Sequence, residues 1–164
     1  MIHYIGFYNE PGDIEEREPM KVFASTEKMN YIASILSKSN KVRIVSPGFS
    51  CSHESFEEKK IEKKDFDVIY LKTLGDGKNN LSVKKILVAA KEIRNYIRDH
   101  VRREDEIVFY SAPAMWLFLK NILTRYDWIL ELEELHYFDK PHINPIRWVY
   151  KSLENSTIAM SKKI

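Results

Sequence analysis

Short runs rich in β-branched and aromatic residues alternate along this chain with longer stretches whose apolar residues recur at helical spacing. Strand-length runs separated by helix-length segments are too far apart to pair as tight hairpins. They fit parallel strands joined by helical crossovers. Runs at 2–8, 42–46, 66–71, 106–110, 128–132 and 157–160 predict six strands. Phe23, Met29, Ile32, Ala33 and Leu36 predict a first helix, with Asn40 suited to end it. Ser82 is the expected N-cap of a second helix running to Arg103. Pro113 suits the first turn of a short apolar helix over 114–124, and another helix is expected over 144–154. The segment 49–64, rich in Ser, Glu and Lys, reads as an exposed loop.

The resulting expectation is an α/β domain: a Rossmann-like, doubly wound, mostly parallel sheet with right-handed crossovers and helices on both faces. At 164 residues it reads as one domain spanning 1–164, a length that buries roughly 70% of the unfolded surface. Ligands of such sheets gather at the carboxyl ends of the strands. That directs attention to the loops 9–20, 47–56, 111–115 and 133–141.

Composition narrows the function classes. A net charge of +2 leaves no electrostatic footprint that would argue for nucleic acid. The single cysteine, Cys51, permits no intrachain disulfide and fits a reducing compartment. The first residues lack a basic and apolar leader, and no apolar run reaches the length of a membrane span. A cytoplasmic protein is therefore expected, free or peripheral at the inner face of a membrane. The five glycines (Gly6, Gly12, Gly48, Gly75, Gly77) build neither a dinucleotide fingerprint nor a phosphate-binding P-loop. Glu10 stands alone where a receiver domain needs an acidic cluster, and no Gly-x-Ser-x-Gly elbow is present.

Several segments carry a resemblance. They are Tyr4-Ile5-Gly6-Phe7, then Arg17-Glu18-Pro19, Lys28-Met29-Asn30-Tyr31-Ile32 and the strand Val42-Arg43-Ile44-Val45-Ser46. They continue with Trp128-Ile129-Leu130-Glu131-Leu132-Glu133-Glu134-Leu135, and with Arg147, Tyr150 and Glu154 ahead of Ser156-Thr157-Ile158-Ala159-Met160-Ser161. In order and spacing this resembles the N-terminal, acceptor-side domain of retaining GT-B glycosyltransferases of the bacterial polysaccharide type. The resemblance implies one half of a GT-B fold, whose donor-binding domain, with its paired-glutamate motif, is not among these residues. It implies transfer from a nucleotide sugar, as co-substrate and with no cofactor besides, to a saccharide or lipid-linked acceptor. Activity is implied only when this domain joins a donor-binding domain, in the same or a separate chain. Where many relatives carry a Gly-Gly pair near the donor phosphates, this chain has Gly12 alone; where many place a histidine, it has Glu133-Glu134, with His136 close by.

The candidate site residues follow. Glu133 and Glu134, just past the fifth strand, are the expected catalytic pair, set to hold acceptor hydroxyls or orient the reacting group. Gly12, Arg17 and His136 are expected to bind acceptor or donor phosphate. Gly12 would let the backbone approach a phosphate, and Arg17 would supply a two-pronged anion contact. Equally, Asp13, Glu15, Glu16 and Glu18 make the same stretch a solvated acidic loop. Glu133, Glu134, His136, Asp139 and His142 lack the spacing that would frame a metal, so no metal is expected. On the second helix, Lys84, Lys91, Arg94, Arg98 and Arg102 share one side, and Val83, Ile86, Leu87, Ala90, Ile93, Ile97 and Val101 the other. The basic side is a solvated face or a contact for anionic lipid. The rival to the glycosyltransferase reading is a non-catalytic Rossmann-like binding or regulatory subunit that pairs with a separate catalytic chain.

Overall fold

The computed structural model describes residues 1–19, 23–47, 49–78, 82–110, 119, 121, 123–131, 152, 155–156 and 158–159. Six strands form one sheet: β1 (Ile2–Ile5), β2 (Val42–Ser46), β3 (Lys59–Glu62), β4 (Asp67–Tyr70), β5 (Glu106–Tyr110) and β6 (Trp128–Glu131). Their spatial order is β3-β4-β2-β1-β5-β6. Every neighbouring pair is parallel except β3 with β4. From β1 the chain moves outward through β2 to β4, then returns to the other side of β1 with β5. The direction of winding therefore reverses between β1 and β5, which is where open α/β sheets place their ligand crevice.

Side-chain alternation decides what covers each face. Ile2, Tyr4, Val42, Ile44, Val68, Tyr70 and Tyr110 pack with Met29 and Ala33 of the helix α1 (Phe23–Leu36). Ile5, Val45, Ile69, Ile107, Phe109, Trp128 and Leu130 pack with Ala89, Ile93 and Ile97 of α2 (Val83–His100). The two helices thus lie on opposite faces, as right-handed crossovers running in opposite directions, from β1 to β2 and from β4 to β5, require. Ser82 caps α2 as expected, its Oγ accepting from the Lys85 amide at 3.3 Å.

Three expectations are corrected. The segment 49–64 is not all loop, because Lys59–Glu62 forms β3, pairing Lys59 with Tyr70 and Glu62 with Asp67. Its sequence, Lys-Lys-Ile-Glu, has one apolar residue and no readable alternation. The backbone ladder makes it a strand, and its charges suit a sheet edge. The sixth strand expected at 157–160 is not one where it is described, since Ile158 and Ala159 are helical. A four-residue apolar run has no periodicity that separates strand from helix. Ile158 is satisfied by packing one side onto the α2-face core. The strand expected over 2–8 is also shorter, leaving Phe7 and Tyr8 beyond the ladder.

Candidate functional site

On the α1 face, near the carboxyl end of the sheet, three tyrosines meet three carboxylates. Tyr4 of β1 donates to Glu131 Oε2 at the end of β6. The Tyr8 hydroxyl, past the end of β1, lies 2.5 Å from Glu10 Oε2. Tyr70, which ends β4, donates to Asp13 Oδ2 at 2.7 Å. Strand alternation turns Tyr4 and Tyr70 toward α1, Tyr8 packs into the same layer from beyond the end of β1, and each hydroxyl then needs a partner in a mostly apolar layer.

The loop between β1 and α1 brings its acids to these hydroxyls. Asn9 and Thr26 tie its start to α1, the Asn9 amide donating to Thr26 Oγ1 at 3.0 Å. The chain then turns at Gly12, whose φ of 87° favours glycine. Ile14 is fully buried in the α1-face core and pins the middle of the loop. Between these anchors Glu10 and Asp13 turn toward Tyr8, Tyr70 and Asn30. Asn30 Nδ2 donates to Glu10 Oε2 at 2.6 Å, and the Glu10 amide donates to the Tyr70 hydroxyl at 3.3 Å.

Lys63 joins the two acids. Its ammonium lies 3.3 Å from Glu10 Oε2 and 3.0 Å from Asp13 Oδ2, and 5.6 Å from the centre of the Tyr8 ring. Burial works to raise the Glu10 pKa. Hydrogen bonds from Tyr8 and Asn30, with the Lys63 charge, overcome it and hold this carboxyl below its ordinary value. Burial, reinforced by Glu10, pushes the Tyr8 hydroxyl well above the usual tyrosine range. Burial and Asp13 do the same to Tyr70. At neutral pH Glu10 is ionised and both phenols keep their protons.

The contacts are one-sided. Every bond to the Glu10 carboxylate falls on Oε2, and every bond to the Asp13 carboxylate falls on Oδ2. Glu10 Oε1 and Asp13 Oδ1 have no hydrogen-bond partner among the described residues. Glu10 is about one-third exposed and Asp13 less so. Two fixed carboxylates, each with a spare acceptor oxygen, can take hydroxyl donors from a polar ligand. Among the described residues, a phosphate would meet the two carboxylates with only Lys63 between them. Lys63 already supplies the cation these acids need, and no group of three or more metal-ligating side chains occurs among the described residues.

A smaller cluster lies nearer the winding reversal. Lys28 of α1 pairs with Glu131 Oε1 at 2.9 Å and sits 5.4 Å from the centre of the Tyr110 ring. Gly6 lets the elements close up here: a Cβ on it would stand 2.7 Å from the Tyr110 Cβ and 3.0 Å from Met29 Sδ.

The expected site residues fare unevenly. Glu133, Glu134 and His136 lie outside the described residues. Gly12 is exposed, with nothing within 4 Å of where a Cβ would stand, so the turn accounts for it without any close approach. Arg17 is 2% exposed and bound to the protein itself. Its guanidinium donates to Leu71 O at 2.9 Å, Thr73 Oγ1 at 3.0 Å and Glu57 O at 2.6 Å, and stands 5.7 Å from the Phe56 ring centre. An anion would have to displace those contacts. Sequence reasoning passed over Tyr8, Asp13, Asn30, Lys63 and Tyr70 and left Glu10 isolated. The available signal was Tyr8 and Tyr70, two hydroxyl-bearing side chains at the carboxyl ends of otherwise apolar strands.

No protein-family model matches this chain, and no curated protein sequence matches it.

Proposed function

We propose that this chain is the acceptor-side, Rossmann-like half of a GT-B glycosyltransferase and that the Glu10–Asp13 cluster binds acceptor hydroxyls. The observation that carries this reading is the pair of anchored carboxylates, each with one oxygen unengaged among the described residues, at the carboxyl end of a mostly parallel sheet. Saccharides present vicinal hydroxyls as donors, and ionised acceptors held by tyrosine, amide and ammonium groups answer them. The winding reversal beside β1 and the opposed helices support the doubly wound architecture that the resemblance implies. In the complete enzyme Glu133 and Glu134 would orient the reacting group. A second domain would hold the nucleotide sugar, so this chain by itself transfers none.

Binding of an oligosaccharide panel to the chain, followed by amide chemical shifts, tests the reading. Shifts should cluster at Glu10, Asp13 and Asn30, and Glu10→Gln should weaken binding about tenfold, near 1.4 kcal/mol. Nucleotide sugars should bind no tighter than about millimolar, near −4 kcal/mol. Micromolar binding of a nucleotide sugar, or turnover by the chain alone, would overturn the half-enzyme assignment.

A further inference from the structure

The outward side of α2 combines charge with exposed apolar surface in a way that the saccharide reading leaves unused. Lys84, Leu87, Lys91, Arg94 and Arg98 follow one another at alternating three- and four-residue steps, which aligns them along one side of the helix. All five are exposed, as is Arg102 just beyond the helix end. From Lys84 to Arg98 the row runs about 21 Å. Lys84, Lys91 and Arg94 form no ion pair among the described residues. Arg98 pairs with its neighbour Asp99, and Arg102 stands 3.9 Å from Glu104.

Sequence periodicity placed Val83 and Leu87 on the side opposite the cations, with Ala90, Ile93 and Ile97, yet those three are buried and Val83 and Leu87 are not. Val83 is 72% exposed and Leu87 46% exposed, while Lys85 is buried. The inversion has a local cause: Lys85 Nζ reaches Asp76 Oδ1 and the Lys78 carbonyl, both at 2.6 Å, so that residue turns inward. The first turns of α2 therefore offer solvent two apolar side chains flanked by lysines. The half-buried Glu92 lines a groove with Glu58 and Asp99, which the row meets only at its last cation, Arg98.

We propose that this face of α2 docks on an anionic lipid surface, with the cations against headgroups and with Val83 and Leu87 entering the acyl boundary. A polyanion such as duplex nucleic acid would satisfy the cations equally but leaves the two exposed apolar side chains without a role. A lipid interface uses both. No helix among the described residues is long and apolar enough to cross a membrane, so the contact is a surface one. This inference does not rest on the saccharide reading, because it uses none of the same residues.

The test is co-sedimentation of the full chain with vesicles of phosphatidylcholine alone and of phosphatidylcholine mixed equally with phosphatidylglycerol. Binding should appear with the mixed vesicles at low salt and fall as salt rises. Lys91→Gln with Arg94→Gln should weaken it about 25-fold, at roughly fivefold per cation. Leu87→Ser should weaken it further, and Lys38→Gln, exposed on the other side of the molecule, should leave it unchanged. Circular dichroism confirms folding, which surface substitutions should preserve. No binding to the mixed vesicles overturns the proposal, as does equal binding to neutral ones. Duplex DNA binding of equal strength, with Leu87→Ser without effect on the vesicles, also overturns it in favour of a general polyanion site.

Discussion

Replacing Arg17 with methionine decides between a clamp and an anion-binding arm. The guanidinium joins the β1–α1 loop to Leu71 and Thr73, which follow β4, and to Glu57, which precedes β3. Methionine fills much of the same space but donates nothing. Leu71 O keeps one donor, the Thr73 hydroxyl at 3.1 Å, whereas Glu57 O loses the partner identified here. Hydrogen bonds to a charged donor contribute about 1.5–3 kcal/mol each, and the contact with Phe56 adds roughly 1 kcal/mol. Against this, the unfolded chain no longer has to surrender a hydrated guanidinium, which returns several kcal/mol. The net loss should be about 2–3 kcal/mol. With a urea slope near 2 kcal/mol per molar, the midpoint should fall by roughly 1–1.5 M. Arg17→Lys should recover little, because one ammonium cannot span three acceptors. Urea unfolding followed by tryptophan fluorescence and by circular dichroism measures the shift. A midpoint lowered by less than about 0.3 M, at unchanged slope, would refute the clamp. Arg17 would then be free to meet an anion.

Two further outcomes are expected. His3 is buried, with Tyr96 Oη 2.9 Å from its Nδ1, and burial lowers its pKa below 6.5 despite the opposing pull of Asp105. The unfolded chain therefore binds more protons just below pH 6.5, so this contribution to stability is whole above that pH and declines as pH falls toward the folded-state value. His3→Gln should flatten that slope in urea titrations across the window, and an unchanged slope would place the dependence elsewhere. Ser82→Ala should cost about 1 kcal/mol through loss of the α2 cap and lower Tm by roughly 2–4 °C; an unmoved Tm would show that the helix start holds without it.

Much of the fold was legible because its strands announce themselves. Val42–Ser46 and Glu106–Tyr110 are dense in branched and aromatic residues, and their expected limits are the observed ones. Ser82 followed by an amphipathic run located the start of α2, whose end at His100 comes three residues before the expected Arg103. What failed to show had no periodic signature. Lys59–Glu62 is a strand because β4 offers it a ladder, and Ile158 is helical where a short apolar run imitates a strand. The site was less legible still. Glu10, Asp13, Asn30, Lys63 and Tyr70 come from four separate stretches of chain, and only folding makes them neighbours. Arg17 was singled out for its charge, yet its position beneath the loop comes from carbonyls that no sequence pattern reveals.

The order of strands also sets a schedule for synthesis. β1 occupies the middle of the sheet, yet one of its two neighbours, β5, lies about a hundred positions away in the chain. Closing that loop costs about 1.3 kcal/mol more entropy than closing the one that joins β2 to β4, by the logarithmic length dependence. The β1–β2–β4 half, with its β3 hairpin, is complete in sequence by Tyr70. About 40 more residues must leave the ribosome before β5 is available, which takes roughly 2–8 s. Throughout that interval the nascent chain presents the unpaired side of β1, with Tyr4 and Ile5 on its two faces, to anything able to add a strand. That interval makes the middle of the finished sheet the point at which a newly made copy is most open to capture by a chaperone or by another nascent chain.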